Sequence, residues 1–229
     1  MYVSGLLKDI FLDEILDFLL RRNVMLAVGV VFIFMIVFNV ISIIKAIRLP
    51  KKWISFYLLL QMLVWGLLAL KFGLSNQFVK YGLLMTVVTP ISVIDCYSHY
   101  IYELPVIFGA LGAFLVSCYL DELQTTIIGG ITGFCIMFII RWLSKNGMGE
   151  GDRDLAACCG LCLGGGATIF MIILAFMMGG LFSGYRLIKQ QMSLSEEIPF
   201  APFIGIATVV AIFYYQELVD FWLKFTDLV

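Results

Sequence analysis

Two carboxylates stand where an apolar chain has little reason to keep them. Asp95 closes the run Thr89-Pro90-Ile91-Ser92-Val93-Ile94 and is the only acid between Asp17 and Glu103. Asp152 closes Gly147-Met148-Gly149-Glu150-Gly151-Asp152, a polar segment between two long apolar runs. An acid at the end of a membrane run is expensive and is read first as functional. Glycines at alternate positions leave the backbone free to take positive φ and to approach a ligand closely, at an entropic cost that an ordinary connector need not carry. Brought together, two carboxyls can hydrolyse a peptide bond: a carboxylate takes a proton from water, and a carboxylic acid gives one to the carbonyl or leaving amine. Such a pair cannot easily ionise twice and holds one proton near neutrality, on a member the sequence does not identify. Asp95 and Asp152 are the expected catalytic pair. An extended substrate beside Asp152 would meet no Cβ at Gly149 or Gly151.

The same residues have plainer uses. Asp152 or Asp154 can cap a helix start, and Asp95 can anchor a helix at the membrane interface. Asp154 is the rival to Asp152, but two residues along a helix it points elsewhere. Glu103 and Glu150 read as solvated edge residues, and His99, the only histidine, as an interfacial polar group. All six cysteines lie within or beside apolar runs, as small buried hydrophobes do. Cys159-Gly-Leu-Cys162 has no second pair and no nearby histidine, so neither metal nor redox cofactor is expected.

The elements that hold these residues are membrane helices. The chain is 62% hydrophobic and 14% charged with mean hydropathy +1.03, against about 25% charged in a soluble domain. A net charge of -1 excludes a generally basic nucleic-acid binder and leaves the lipid bilayer as the expected partner. Residues 1–23 alternate apolar and charged positions at helical spacing, which predicts an amphipathic interfacial helix. Residues 24–229 form the membrane-embedded domain, an all-α bundle of about eight spans: 24–44, 54–70, 81–94 (extended from 79), 105–120, 125–140, a short helix at 154–163, 167–185 and 200–218. Pro90 is expected to kink the third, Pro105 to open the fourth, and Gly164-Gly165-Gly166 to break the sixth from the seventh. Lys45, Arg48, Lys51, Lys52, Arg141, Lys145, Arg153, Arg186 and Lys189 crowd one side, which places Asp95, Asp152 and His99 at the cytoplasmic face.

In that order the motifs resemble those of the bacterial type IV prepilin peptidases, a family of GxGD intramembrane aspartic proteases. Gly147 to Asp152 with Leu155 is similar to the family's GMGxGDxxL signature, and Ile94-Asp95 with Ile101 and Leu104 to its other aspartate motif. Ile198-Pro199-Phe200-Ala201-Pro202-Phe203 resembles its IPFGPF segment; Lys71 to Ser75 and Phe38-Asn39-Val40 fit more weakly. The resemblance runs from about residue 24 to 215. It implies an aspartic endopeptidase of the bacterial inner membrane that removes short basic leaders from prepilin or pseudopilin substrates. The catalytic residues it implies are Asp95 and Asp152, with Gly149, Gly151, Pro199, Phe200 and Pro202 near the substrate. Two features depart from the pattern. Tyr102 stands where the family usually has proline, with Pro105 following, and the segment Ile47 to Trp53 holds no cysteine or histidine where the bifunctional enzymes carry a zinc-binding insertion. The resemblance therefore carries peptidase activity and stops short of N-methyltransferase. Two other classes remain: a GxGD protease of another kind, although no Tyr-Asp pair precedes the loop, and a membrane channel or scaffold lined by the acids.

Overall fold

The computed structural model describes residues 50–73, 75–145, 147–189 and 198–226. The expected interfacial helix and the 24–44 span lie outside these residues. Among the described residues seven helices follow one another: α1 (Lys51–Phe72), α2 (Asn76–Ser98), α3 (Glu103–Tyr119), α4 (Leu123–Leu143), α5 (Glu150–Leu163), α6 (Gly165–Ile188) and α7 (Ala201–Thr226). They correspond to the second through eighth expected spans. By length and composition α1, α2, α4, α6 and α7 can cross a membrane; α3 is apolar but shorter, and α5 has 14 residues.

Their ends follow local chemistry. Ser75 caps α2, its hydroxyl accepting the N–H of Phe78 at 3.4 Å. His99 ends it in the left-handed conformation, its N–H returning to the Asp95 carbonyl at 2.9 Å. Three boundaries differ from the sequence reading. Helix α2 continues through Pro90 to Ser98, so Asp95 sits inside its last turn rather than beyond it. Helix α5 begins at Glu150, not Asp154, so half of the glycine segment is helical. Of the three glycines expected to break the chain, only Gly164 does, with φ +79, while Gly165 and Gly166 belong to α6. Patterns of apolar residues locate a helix better than its first turn, where polar residues and backbone donors are normal.

Helix α2 is the centre. Of its most apolar 18-residue window 72% is buried, against 22–33% for the other four long helices. It packs on α1, α3, α5 and α7, and Leu84, Val87, Val88 and Ile91 lie in one core with Leu155, Met171 and Ile204. The surrounding helices keep large apolar side chains outside, among them Leu59, Met62, Leu70 and Leu181, each more than half exposed. In lipid such a surface carries no hydrophobic penalty, so close packing must hold the helices together.

That packing is tightest between α4 and α5. A Cβ at Gly129 would fall on the Gly160 carbonyl, and one at Gly160 on the Gly129 carbonyl; at Gly133 it would lie 2.6 Å from the Ala156 carbonyl oxygen. Backbone meets backbone here. The stripe fixes the axial position of α5 against α4, and with it the level at which the start of α5 stands in the bundle.

Candidate active site

Asp95 is 5% exposed. Its Oδ2 accepts the backbone N–H of Ala201, the first residue of α7, at 2.9 Å. The first N–H groups of a helix have no partner inside it, so α7 presents donors where Asp95 needs them, and its dipole favours a carboxylate there. Pro202 suits this turn because its missing N–H is one the helix would leave unpaired. Ser92 ties the same corner together, its hydroxyl donating to the carbonyls of Val88 at 2.8 Å and Ala201 at 3.1 Å. The His99 side chain is exposed and interacts electrostatically with Asp95.

Asp152 is the third residue of α5 and is 9% exposed. Its carboxylate reaches back over Gly149, the residue preceding the helix, and interacts with the backbone N–H there, as an acid at this position of a capping box does. A Cβ at Gly149 would lie 3.0 Å from Asp152 Oδ2, and one at Gly151 would lie 2.5 Å from the Cβ of Ile101. Close approach, not backbone conformation, is what these glycines serve: Gly149 has φ −62, and among the described glycines only Gly73 and Gly164 are positive. Asp152 Oδ1 is buried without a hydrogen-bond partner. The two carboxylates are near enough to act on each other electrostatically. One acid thus hangs from the end of α2 and the other from the start of α5.

The remaining sequence candidates divide. Phe200 packs against Phe176, ring centroids 4.8 Å apart, and over Gly179. Pro199 is half-buried, in the connection just before α7. Pro202 borders a cleft of about 290 Å³ between α1, α2 and α7, with Trp53, Ser92, Cys96 and Gly205. Asp154 turns away from the pair; it is joined to Arg153 at 2.7 Å and with Glu103 borders a second apolar cleft of about 520 Å³ between α3, α4 and α5. Cys158, Cys159 and Cys162 are buried in the core. Among the described residues no group of three or more His, Cys, Asp or Glu could hold a metal.

Two participants escape the sequence reading. The Ala201 N–H is invisible because a backbone donor has no residue-type signature. Arg141, counted above only as a positive charge, donates from one guanidinium nitrogen to the Met148 carbonyl at 2.7 Å and from the other to Glu150 at 2.8 Å. An arginine in the last turn of α4 and an acid nine residues on were the available signal.

Comparison with known proteins places this site in a family's region. Residues 82–184, which carry both aspartates, match the type IV leader peptidase family. The chain is similar to the prepilin leader peptidase/N-methyltransferase of Aeromonas salmonicida, 28% identical over 53% of this chain and 43% of that protein. It is likewise similar to the proteins of that name from Bacillus subtilis, 23% identical over 68% and 63%, and Stutzerimonas stutzeri, 28% identical over 73% and 53%. These matches bear out the resemblance to type IV prepilin peptidases read from the motifs. The matched regions span about half the length of these curated relatives. No solved structure matches.

Proposed function

We propose that this protein is an intramembrane aspartic endopeptidase that removes short basic leaders from prepilin or pseudopilin precursors at the cytoplasmic face of the bacterial inner membrane. The observation that carries this reading is the pair of buried carboxylates on facing helices, Asp95 and Asp152, within reach of each other's field. Their surroundings differ. Asp95 is held by a backbone donor, whereas Asp152 keeps one buried oxygen free of protein partners. In the proposed reaction one carboxylate takes a proton from water as the oxygen adds to the scissile carbonyl, and the partner acid protonates the departing amine. The C–N bond breaks, and the pair still holds one proton, now on the carboxylate that deprotonated water. The cleft beside Pro202 gives apolar substrate residues a place near Asp95. The basic residues near the same ends of α4 and α6, Arg141, Lys145, Arg186 and Lys189, support the cytoplasmic orientation.

Co-expression with a pilin precursor tests the reading, with leader removal seen as a mobility shift. The parent chain should produce the shift. Asp95→Ala and Asp152→Ala should each abolish it while still inserting, and Asp154→Ala should retain substantial cleavage. Normal cleavage by Asp152→Ala together with loss in Asp154→Ala would show that the wrong acid of the segment has been chosen. The relatives' names join N-methylation to leader removal. Since Ile47 to Trp53 offers no soft metal ligand, the processed pilin should carry no methyl group that depends on this gene, as mass spectrometry can read.

A further inference from the structure

We infer that Arg141 is a positioning residue for Asp152, acting through the segment that joins α4 to α5; the inference rests on the dyad reading above. Arg141 sits in the last turn of α4. Its two nitrogens grip the chain on either side of Gly149, through the Met148 carbonyl at 2.7 Å and Glu150 Oε1 at 2.8 Å. Gly149 is the residue from which α5 starts and over which the Asp152 carboxylate lies. Arg141 touches neither aspartate in these contacts, so its effect on the chemistry is indirect.

The need for such a clamp follows from the connection itself. Between the end of α4 and the start of α5, Gly147 and Gly149 carry no side chain, and glycine loses the most conformational freedom on ordering. Farther along, α5 is fixed by the contacts of Gly129 and Gly133 with Gly160 and Ala156. Those contacts lie one to two turns beyond Asp152, so they hold the helix body and leave its first turn to be fixed from elsewhere. Ile101 against Gly151 supplies one side, and Arg141 supplies the other.

An arginine fits this task better than a lysine. Its planar guanidinium presents diverging donors in fixed geometry, so one side chain can hold a carbonyl and a carboxylate at once; an ammonium is a flexible point charge. The Arg141 side chain is 18% exposed and that of Glu150 65%. Solvent therefore weakens the carboxylate half of the grip more than the carbonyl half, which makes Met148 the more important anchor.

The test uses the full chain in detergent, a purified pilin precursor as substrate, and two independent readouts. Arg141→Gln should lower kcat by about 10- to 100-fold, the scale expected when reacting groups shift by about an ångström, while KM stays within about twofold. Arg141→Lys should recover less than half of that loss on a logarithmic scale, and Glu150→Gln should lose at most about threefold. Amide hydrogen exchange should quicken in Arg141→Gln over residues 147–152 and remain unchanged in the body of α5. Unchanged exchange there overturns the clamp whatever the cleavage assay shows, and a KM rise at constant kcat overturns it by placing Arg141 on the substrate. If Arg141→Gln unfolds, exchange in Arg141→Lys decides, with local quickening expected and protection equal to the parent overturning the proposal. Failure of the dyad reading is seen separately, as cleavage that survives Asp152→Ala.

Discussion

The two ends of α2 each bury a charged residue type, and they treat it in opposite ways. Near its start, Lys80 is 8% exposed and meets Glu122 of the α3–α4 turn at 2.5 Å. Near its finish, Asp95 is 5% exposed, receives one backbone N–H from Ala201 and faces a second acid, Asp152. A buried charge beside its opposite is a solved packing problem. A buried carboxyl beside another carboxyl leaves one proton to be shared, and such unresolved pairs are what acid–base chemistry requires. Burial alone therefore does not separate a paired structural charge from one proposed for catalysis; what differs between the two ends is the sign of the neighbour.

Substitutions at the two ends should move activity and stability in opposite measure. The largest effect is expected from Asp152→Asn, which keeps shape and removes the second ionisable group: cleavage should fall by at least about 10³-fold. Thermal stability in detergent should hold or rise, because the buried site no longer has to accommodate two acids. A stability loss as large as the activity loss would make Asp152 a structural acid like Glu122. Glu122→Gln should do the reverse, leaving Lys80 buried without a counter-charge. Breaking a fully buried pair costs about 3–5 kcal/mol, and because the Glu122 side chain is 42% exposed about 1–2 kcal/mol is expected here. Cleavage should change by no more than about twofold once the folded fraction is matched.

Lys80→Met should cost less than Glu122→Gln, since the remaining Glu122 can turn to water while a stranded lysine cannot. Equal costs, read as denaturation midpoints, would mean that solvent already reaches Lys80. The smallest effect is expected at the Asp95 corner. Ser92→Ala removes one hydroxyl that donates to the Val88 and Ala201 carbonyls, and cleavage should drop about two- to fivefold as α7 loosens over Asp95. A drop as large as that of Asp152→Asn would promote Ser92 from supporting the corner to taking part in the reaction.

What the sequence discloses here depends on where the physics is written. Asp95 and Asp152 were legible as candidates because an acid in an apolar chain is costly, and the spans because hydrocarbon thickness sets a length. The start of α5 was not, because Glu150, Gly151 and Asp152 look like a polar loop and equally like the first turn of a helix. The glycines at 149 and 151 stand out in the sequence for only part of their reason: what they make room for is Asp152 itself and Ile101, a contact from another element that no local pattern announces. The Ala201 N–H belongs to every residue except proline, so only the fold could single it out. Between Gly129 and Gly133 the small-residue spacing was available as a signal for helix contact, although its partners at Ala156 and Gly160 were not.

The meeting of α4 and α5 along that stripe also bears on how such a protein can change over time. Where side chains separate two helices, drift can exchange a leucine for a valine and let the gap settle by small steps. Gly129 and Gly160 leave no such intermediate, since the smallest addition at either falls on the other's carbonyl. Lineages descending from this chain can therefore rewrite its lipid-facing surface residue by residue. The level at which Asp152 stands is inherited whole, and a descendant that alters it must find a second change on the facing helix at the same moment.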